Sequence, residues 1–378
     1  MCGTTVGVGG LVVSGRRRVV VIGGGIAGVS IAGELSHDHD VVLLEAEETL
    51  AHHTTGRSAA VLLPGYGNKV VRELTQRSIA LYAERSNKYE VGLLEPRAFL
   101  QIAGADRADA LRDIVSKTPT MHMIDVEDAF TMCPYLQRDA VAVAAIDETG
   151  SAIDVASLHQ TYVREIAANG GVIVKNKRVD AIALGNRCVV SAGEETWECD
   201  LVVNAAGAWG DVVAAMANCK PVGLMPLRRT IFTTKVDPAL GRGPMVFGTP
   251  EAYYFGLDHG VLLGSPADET LSEPCDARPE EIDVAQAIES INEVTTFNIR
   301  SIDTAWAGLR TFAPDRSPVV GSRSGEPNFF WFCGQGGYGI QMGPGLAEYG
   351  AFLVRGLVPE EHGAAQVAAE RVSPNRFP

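Results

Sequence analysis

Glycines 23, 25 and 28 are spaced Gly-x-Gly-x-x-Gly, directly after the apolar run Val19-Val20-Val21-Ile22. Each then has a task. Gly23 permits a tight turn, Gly25 lets backbone approach a pyrophosphate, and Gly28 lets the next helix pack closely on the strand. The first N–H groups of that helix, at Ile26 and Ala27, and its positive dipole end suit the phosphates. Glu45 follows Gly25 by 20 residues and ends a second apolar strand, where a carboxylate accepts from ribose hydroxyls. The motif says dinucleotide and leaves NAD and FAD open.

Arg310 is the one charge within 305–313, a stretch apolar enough to be buried. A buried guanidinium is costly unless an anion meets it, and a bound carboxylate fits its fork. The competing reading is a structural arginine paired with a protein carboxylate. For Arg228-Arg229, one of the pair often faces solvent. No metal is expected: the seven cysteines include no Cys-x-x-Cys pair, and no His-Glu-x-x-His occurs. His52-His53 are adjacent and read as polar loop residues. A net charge of −14 argues against nucleic acid, and no apolar run reaches the roughly 20 residues that cross a bilayer. Scattered, odd-numbered thiols fit a cytoplasmic location. Residues 1–15 precede the basic Arg16-Arg17-Arg18 run, which is the reverse of a secretory leader, and read as a loose extension.

The elements that position these residues follow from periodicity. Strands are expected at 19–22, 41–44, 172–174 and up to Asn204, with a small-residue helix to about Leu35. Val71, Leu74, Ser78, Leu81 and Tyr82 mark an amphipathic helix. Asp154 caps another, with Val155, Leu158, Tyr162 and Ile166 on one face. Residues 221–297 are β-rich, with a hairpin turning at Asp258-His259-Gly260. Two further features favour FAD over NAD. Small residues in Asn204-Ala205-Ala206-Gly207-Ala208-Trp209 let a strand run under a cofactor. The Gly-rich stretch 334–345 exposes backbone before a last helix, whose start suits negative charge on a reduced flavin.

The motifs Gly23-Gly24-Gly25-Ile26-Ala27-Gly28, Thr55-Gly56-Arg57-Ser58-Ala59-Ala60, Val203-Asn204-Ala205-Ala206-Gly207-Ala208-Trp209, Leu263-Gly264-Ser265-Pro266, Trp306-Ala307-Gly308-Leu309-Arg310 and Gln335-Gly336-Gly337-Tyr338-Gly339-Ile340-Gln341 together resemble the D-amino-acid oxidase superfamily of FAD-dependent amine oxidoreductases, and within it the D-arginine dehydrogenases. The resemblance implies an α/β fold, α+β overall, in which a Rossmann-like FAD-binding domain (16–88, 149–222, 304–378) interleaves with a β-rich substrate domain (89–148, 223–303). It implies FAD held by the Gly23 to Gly28 turn, Glu45, Ala46, Thr55, Gly56, Arg57, Ser58, Ala59, Ala60, Val179, Ala206, Gly207, Trp209, Arg310, Gly336, Gly337, Tyr338, Gly339, Ile340 and Gln341. The substrate carboxylate would meet Arg229 and Arg310, with Tyr66, Tyr254 and Gln341 in the catalytic pocket beside Gly337 and Tyr338. From the residues alone, both tyrosines could equally be core aromatics.

Departures from that pattern matter. Phe99 stands where the D-arginine enzymes use a glutamate for the substrate guanidinium, and Val61 and Leu63 replace a histidine and a threonine. A cationic side chain would lose its partner, so the pocket is expected to be more apolar. The expected reaction is FAD-dependent oxidation of the C–N bond of an amino acid or amino-carboxylate, passing electrons to an unidentified acceptor. The alternatives are oxidation of a 2-hydroxy acid, which needs a stronger base, and a flavoprotein subunit relaying electrons.

Overall fold

A computed structural model describes residues 15–378; the rest of the expected N-terminal extension lies outside them. A six-stranded sheet runs in the order Val319–Ser322, Phe329–Cys333, Leu201–Asn204, Arg18–Ile22, Asp40–Leu44, Val172–Val174, parallel except for its first strand. Strand alternation sets its two faces. Val19 and Val21 point to a core shared with helices Ile26–Ser36, Lys69–Tyr89, Val155–Ala168 and Gly343–Val354. Val20 and Ile22 point to the other face, against Trp331, Val190 and Val213. The expected cap forms, Asp154 accepting from Ser157 N–H at 2.8 Å, and Asn68 caps the helix that follows it by accepting from Val71 N–H at 3.1 Å.

The second unit is a ten-stranded sheet with Thr304–Phe312, Met225–Lys235, Val261–Ser265, Tyr254–Asp258, Met245–Gly248 and Phe99–Ala103 at its centre. Leu100 and Ile102 join Phe232, Phe255 and Ile291 in a core under helix Glu281–Val294. Phe99 and Gln101 alternate to the opposite face, towards the first sheet. The hairpin turn has φ of +44° at His259 and +95° at Gly260, the backbone a tight turn requires. Segment 304–378, expected with the cofactor unit, begins in a strand of this large sheet, where Arg228 pairs with Leu309 and Arg229 with Gly308. Among the described residues no helix is long and apolar enough to cross a membrane.

Candidate active site

Between the two sheets lies a cavity of about 560 Å³, reaching from the Gly23 turn to Tyr254 and Arg229. Its first end is shaped by glycine. Gly23 has φ +113°, and a Cβ there would fall 2.5 Å from Ala205 O. A Cβ on Gly28 would fall 1.7 Å from Gly23 O, so only glycine lets helix and turn meet. The helix cap at Gly25 has no side-chain partner; Ile26 N–H goes instead to Thr55 Oγ1 at 3.0 Å. The Ile26 N–H expected to meet a phosphate is therefore taken by Thr55, and the remainder of the helix's first turn, with its positive dipole end, faces the cavity as the anion site. Glu45 lines the cavity while accepting from Gly24 N–H at 2.6 Å and Glu47 N–H at 2.8 Å. Ala46, Val179, Ala206, Gly207 and Trp209 line the same end. Further in, Gln335 Nε2 and Thr311 Oγ1 are buried without partners, polar atoms of the kind a flavin ring edge would satisfy. The cradle and these orphaned atoms fit an extended dinucleotide such as FAD.

Several expected contacts have other occupations. Gly28 and Gly56 do not face the cavity: Gly28 packs on Gly23, and Gly56 N–H closes a turn on Ala51 O at 3.0 Å. Arg57 lines it, but its guanidinium is spent on Asp276 and the carbonyls of Ala277 and Ala307. Ser58 accepts from Ala60 N–H at 3.0 Å, which supports the left-handed Ala60, φ +59°. Gln341 is buried with both ends used, accepting from Leu63 N–H at 3.2 Å and donating to Thr75 Oγ1 at 3.0 Å. Tyr338 lies outside the lining; its ring backs Tyr66, centroids 5.2 Å apart.

At the second end Arg229, Arg310 and Tyr66 face one space with Tyr254. Arg310 Nη2 approaches the Tyr66 hydroxyl at 3.4 Å, and that hydroxyl reaches both Glu251 oxygens at 3.2 Å. Arg229 Nη1 stands 3.5 Å from Glu251. Burial pushes the Tyr66 hydroxyl far above the usual phenol range, with Glu251 adding to the shift. Burial alone would lower Arg310, but Tyr66, Glu251, Tyr338 and Glu269 hold it charged. Arg310 also has a protein carboxylate, Glu269, at 3.1 Å, so the structural-pair reading holds for one face of the guanidinium. Arg228 is the other member of its pair, turned to Glu280 and Asp283. Val61, Leu63, Phe99, Met245 and Phe247 form the apolar wall. Phe99 stacks on Phe247 at 5.7 Å.

Three contributors escaped sequence reading. Glu251 is a single acid in a loop. Gln101 was readable from its alternation with Phe99. His159 is buried on the inward helix face, its Nε2 donating to Gly24 O at 2.9 Å. His52 and His53 do gather with Glu47, ligand atoms within 4.8 Å, beside the cofactor end. Arg178 and Arg57 already serve the carboxylates there, Glu47 and Asp276, which disfavours a cation.

Residues 18–353 match the family described as FAD dependent oxidoreductase. Mitochondrial sarcosine dehydrogenase of Homo sapiens is 26% identical over 359 residues, covering 88% of this chain and 39% of that protein. Hydrogen cyanide synthase subunit HcnC of Pseudomonas aeruginosa is 27% identical over 172 residues, covering 45% and 38%. The matched part is about two-fifths of the length of these curated relatives. Among solved structures, L-proline dehydrogenase from P. horikoshii superposes with a TM-score of 0.79 at 20% identity, over 96% of this chain and 97% of that one. Glycine oxidase from Geobacillus kaustophilus gives 0.79 at 20%, over 91% and 96%. At such identity these two likenesses speak for the fold.

Proposed function

The chain belongs to the FAD-dependent oxidoreductase family, and from that premise we propose that it oxidises the C–N bond of an amino acid or related amino-carboxylate, a D-amino acid foremost, with a side chain more apolar than arginine. The observation that carries this is the shared facing of Arg229 and Arg310 onto one end of the cavity, opposite a wall of Val61, Phe99, Met245 and Phe247. Two guanidiniums (Arg229, Arg310) line that end with one carboxylate (Glu251), and Arg316 and Glu269 pair beside them outside the lining, which leaves one positive charge for a substrate carboxylate. Bound FAD supplies the acceptor for a hydride. The arginines anchor the carboxylate and fix the α-hydrogen's approach, the proximity part of catalysis. The apolar wall excludes water and takes the side chain.

The amine must reach the site neutral, since an ammonium has no lone pair to stabilise an iminium. Tyr66 is a poor base, being protonated by burial and hydrogen-bonded to Glu251, so water takes the proton. Oxidation of a hydroxy acid would need a stronger base. Val61 holds the position where a histidine would serve, and His52 and His53 line the cavity's opposite end, which supports the amine reading. Sarcosine dehydrogenase, named for an amine substrate, supports it as well.

The test is anaerobic mixing of FAD-loaded protein with D- and L-amino acids, N-methyl amino acids and 2-hydroxy acids, following bleaching of the flavin's visible band. Apolar amino acids are expected to bleach it. Bleaching by hydroxy acids alone would overturn the proposal.

A further inference from the structure

Behind the two anchor arginines the chain turns through Ser265-Pro266-Ala267-Asp268-Glu269. Ala267 takes φ +54° and donates its N–H to Ser265 Oγ at 3.1 Å. The Asp268 carboxylate accepts from Thr230 N–H at 2.6 Å and the Thr230 hydroxyl at 3.1 Å, locking the turn to strand Met225–Lys235. Its carbonyl accepts from Arg229 Nε at 2.9 Å. Glu269 then accepts from Arg310 Nη1 at 3.1 Å and from Arg316 Nη1 and Nη2 at 3.1 and 2.8 Å, and stands 3.6 Å from Arg229 Nη2. Guanidiniums from two sheet strands and a surface turn thus converge on one carboxylate. Neither acid belongs to the cavity lining among the described residues. Burial works against the Glu269 charge, but the Arg316 hydrogen bond and the charges of Arg310, Arg316 and Arg229 hold its carboxyl below the ordinary glutamate range.

We propose that Glu269 is a positioning residue for the carboxylate anchor: from outside the cavity it holds Arg310 and Arg229 side by side and offsets their mutual repulsion. Two guanidiniums aimed at one small space repel, and a fixed anion behind them keeps both in place before substrate arrives. A carboxylate competing with substrate would instead have to stand on the cavity side of the arginines. Glu269 is not among the residues that line that space. The inference rests on the reading of Arg229 and Arg310 as the anchor.

The experiment titrates the oxidised, FAD-loaded protein with benzoate, a carboxylate that cannot be oxidised at an amine, and follows the flavin's visible spectrum. KM and kcat are measured in parallel with the best amino acid. Glu269→Ala and the isosteric Glu269→Gln are expected to weaken benzoate and raise KM by roughly tenfold or more. The saturated rate should fall by less than about threefold, and Glu269→Asp should recover part of the affinity. Unchanged or tighter benzoate binding in the variants, or a loss confined to kcat, would overturn the positioning role. If Glu269→Ala fails to fold, Glu269→Gln carries the same test. If the parent protein itself shows no carboxylate binding, the anchor reading falls, and this inference with it. If the parent binds and both variants bind equally well, only the role of Glu269 falls.

Discussion

The Arg310 guanidinium lies so close to Gly337 that a Cβ on that glycine would fall 2.0 Å from Nε and 2.2 Å from Nη2. The glycine-rich stretch therefore serves the anchor as well as the cofactor: backbone without a side chain closes over the charged group. Gly337→Ala is expected to displace Arg310 from Tyr66 and Glu269, raising KM roughly tenfold or more, as loss of charge-assisted hydrogen bonds does. FAD content should stay at the parent level. Steady-state kinetics with a flavin spectrum of the purified variant check both, and an unmoved KM would take Arg310 out of the anchor.

A stronger effect is expected at the cofactor end. Gly28→Ala would put a Cβ 1.7 Å from Gly23 O, a backbone atom that cannot swing aside. Gly23→Ala meets both a left-handed φ of +113° and Ala205 O at 2.5 Å. Both variants should purify without the flavin's visible absorption and lose several degrees of thermal midpoint. Full flavin content in Gly28→Ala would show that the turn is not the pyrophosphate cradle.

These features were legible because they are local. The Gly23 to Gly28 turn, the Val19 to Ile22 apolar run and the Asp154 cap all lie within one element and its neighbour. Arg310 was found by composition, as a lone charge in an apolar strand. What sequence could not give was company. Glu269 reaches Arg310 across 41 residues and His159 reaches Gly24 across 135, so no spacing rule relates them. Tyr338 shows the converse, a motif residue that the fold keeps out of the cavity lining. Its place in a cofactor motif implied a cavity residue, yet strand Gln335–Gly336, paired to Thr311 and Phe312, turns the ring behind Tyr66.

The apolar wall gives a prediction about size. Phe99 is fully buried, and its ring occupies the space over Gly150, where a Cβ would fall 2.2 Å away. Phe99→Ala should cost about 3 kcal/mol or more of stability from lost contacts and the cavity left behind. The same cavity opens onto the substrate space beside Phe247 and Met245. Relative kcat/KM should therefore shift towards bulkier apolar side chains, for example from leucine towards tryptophan. An unchanged ranking, with stability lost as expected, would place Phe99 in the core alone.

The last prediction concerns acid and the cofactor turn. A carbonyl can only accept, so His159 carries its proton on Nε2 and donates to Gly24 O, and Nδ1 is bare. Burial holds the His159 pKa below the usual histidine range, against the upward pull of the Gly24 carbonyl and the Glu45 charge. In the unfolded chain the imidazole takes up a proton near pH 6.5, roughly the unperturbed value. The folded protein resists that uptake until a lower pH. Between those points the unfolded state binds more protons, so stability rises with pH and falls as acid is added. The contribution is fully present above about pH 6.5 and is lost progressively below it. The Glu269 and Asp38 carboxyls, held low by their arginine partners, titrate further down, whereas burial raises the Glu34 and Asp268 carboxyls, which pull the slope the other way in parent and variant alike. Thermal midpoints of the FAD-free protein between about pH 7.5 and 5.5 should fall with acid, and His159→Gln, which keeps a donor without titrating, should flatten that slope. Equal slopes in the two proteins would mean that His159 does not govern the turn's response to acid.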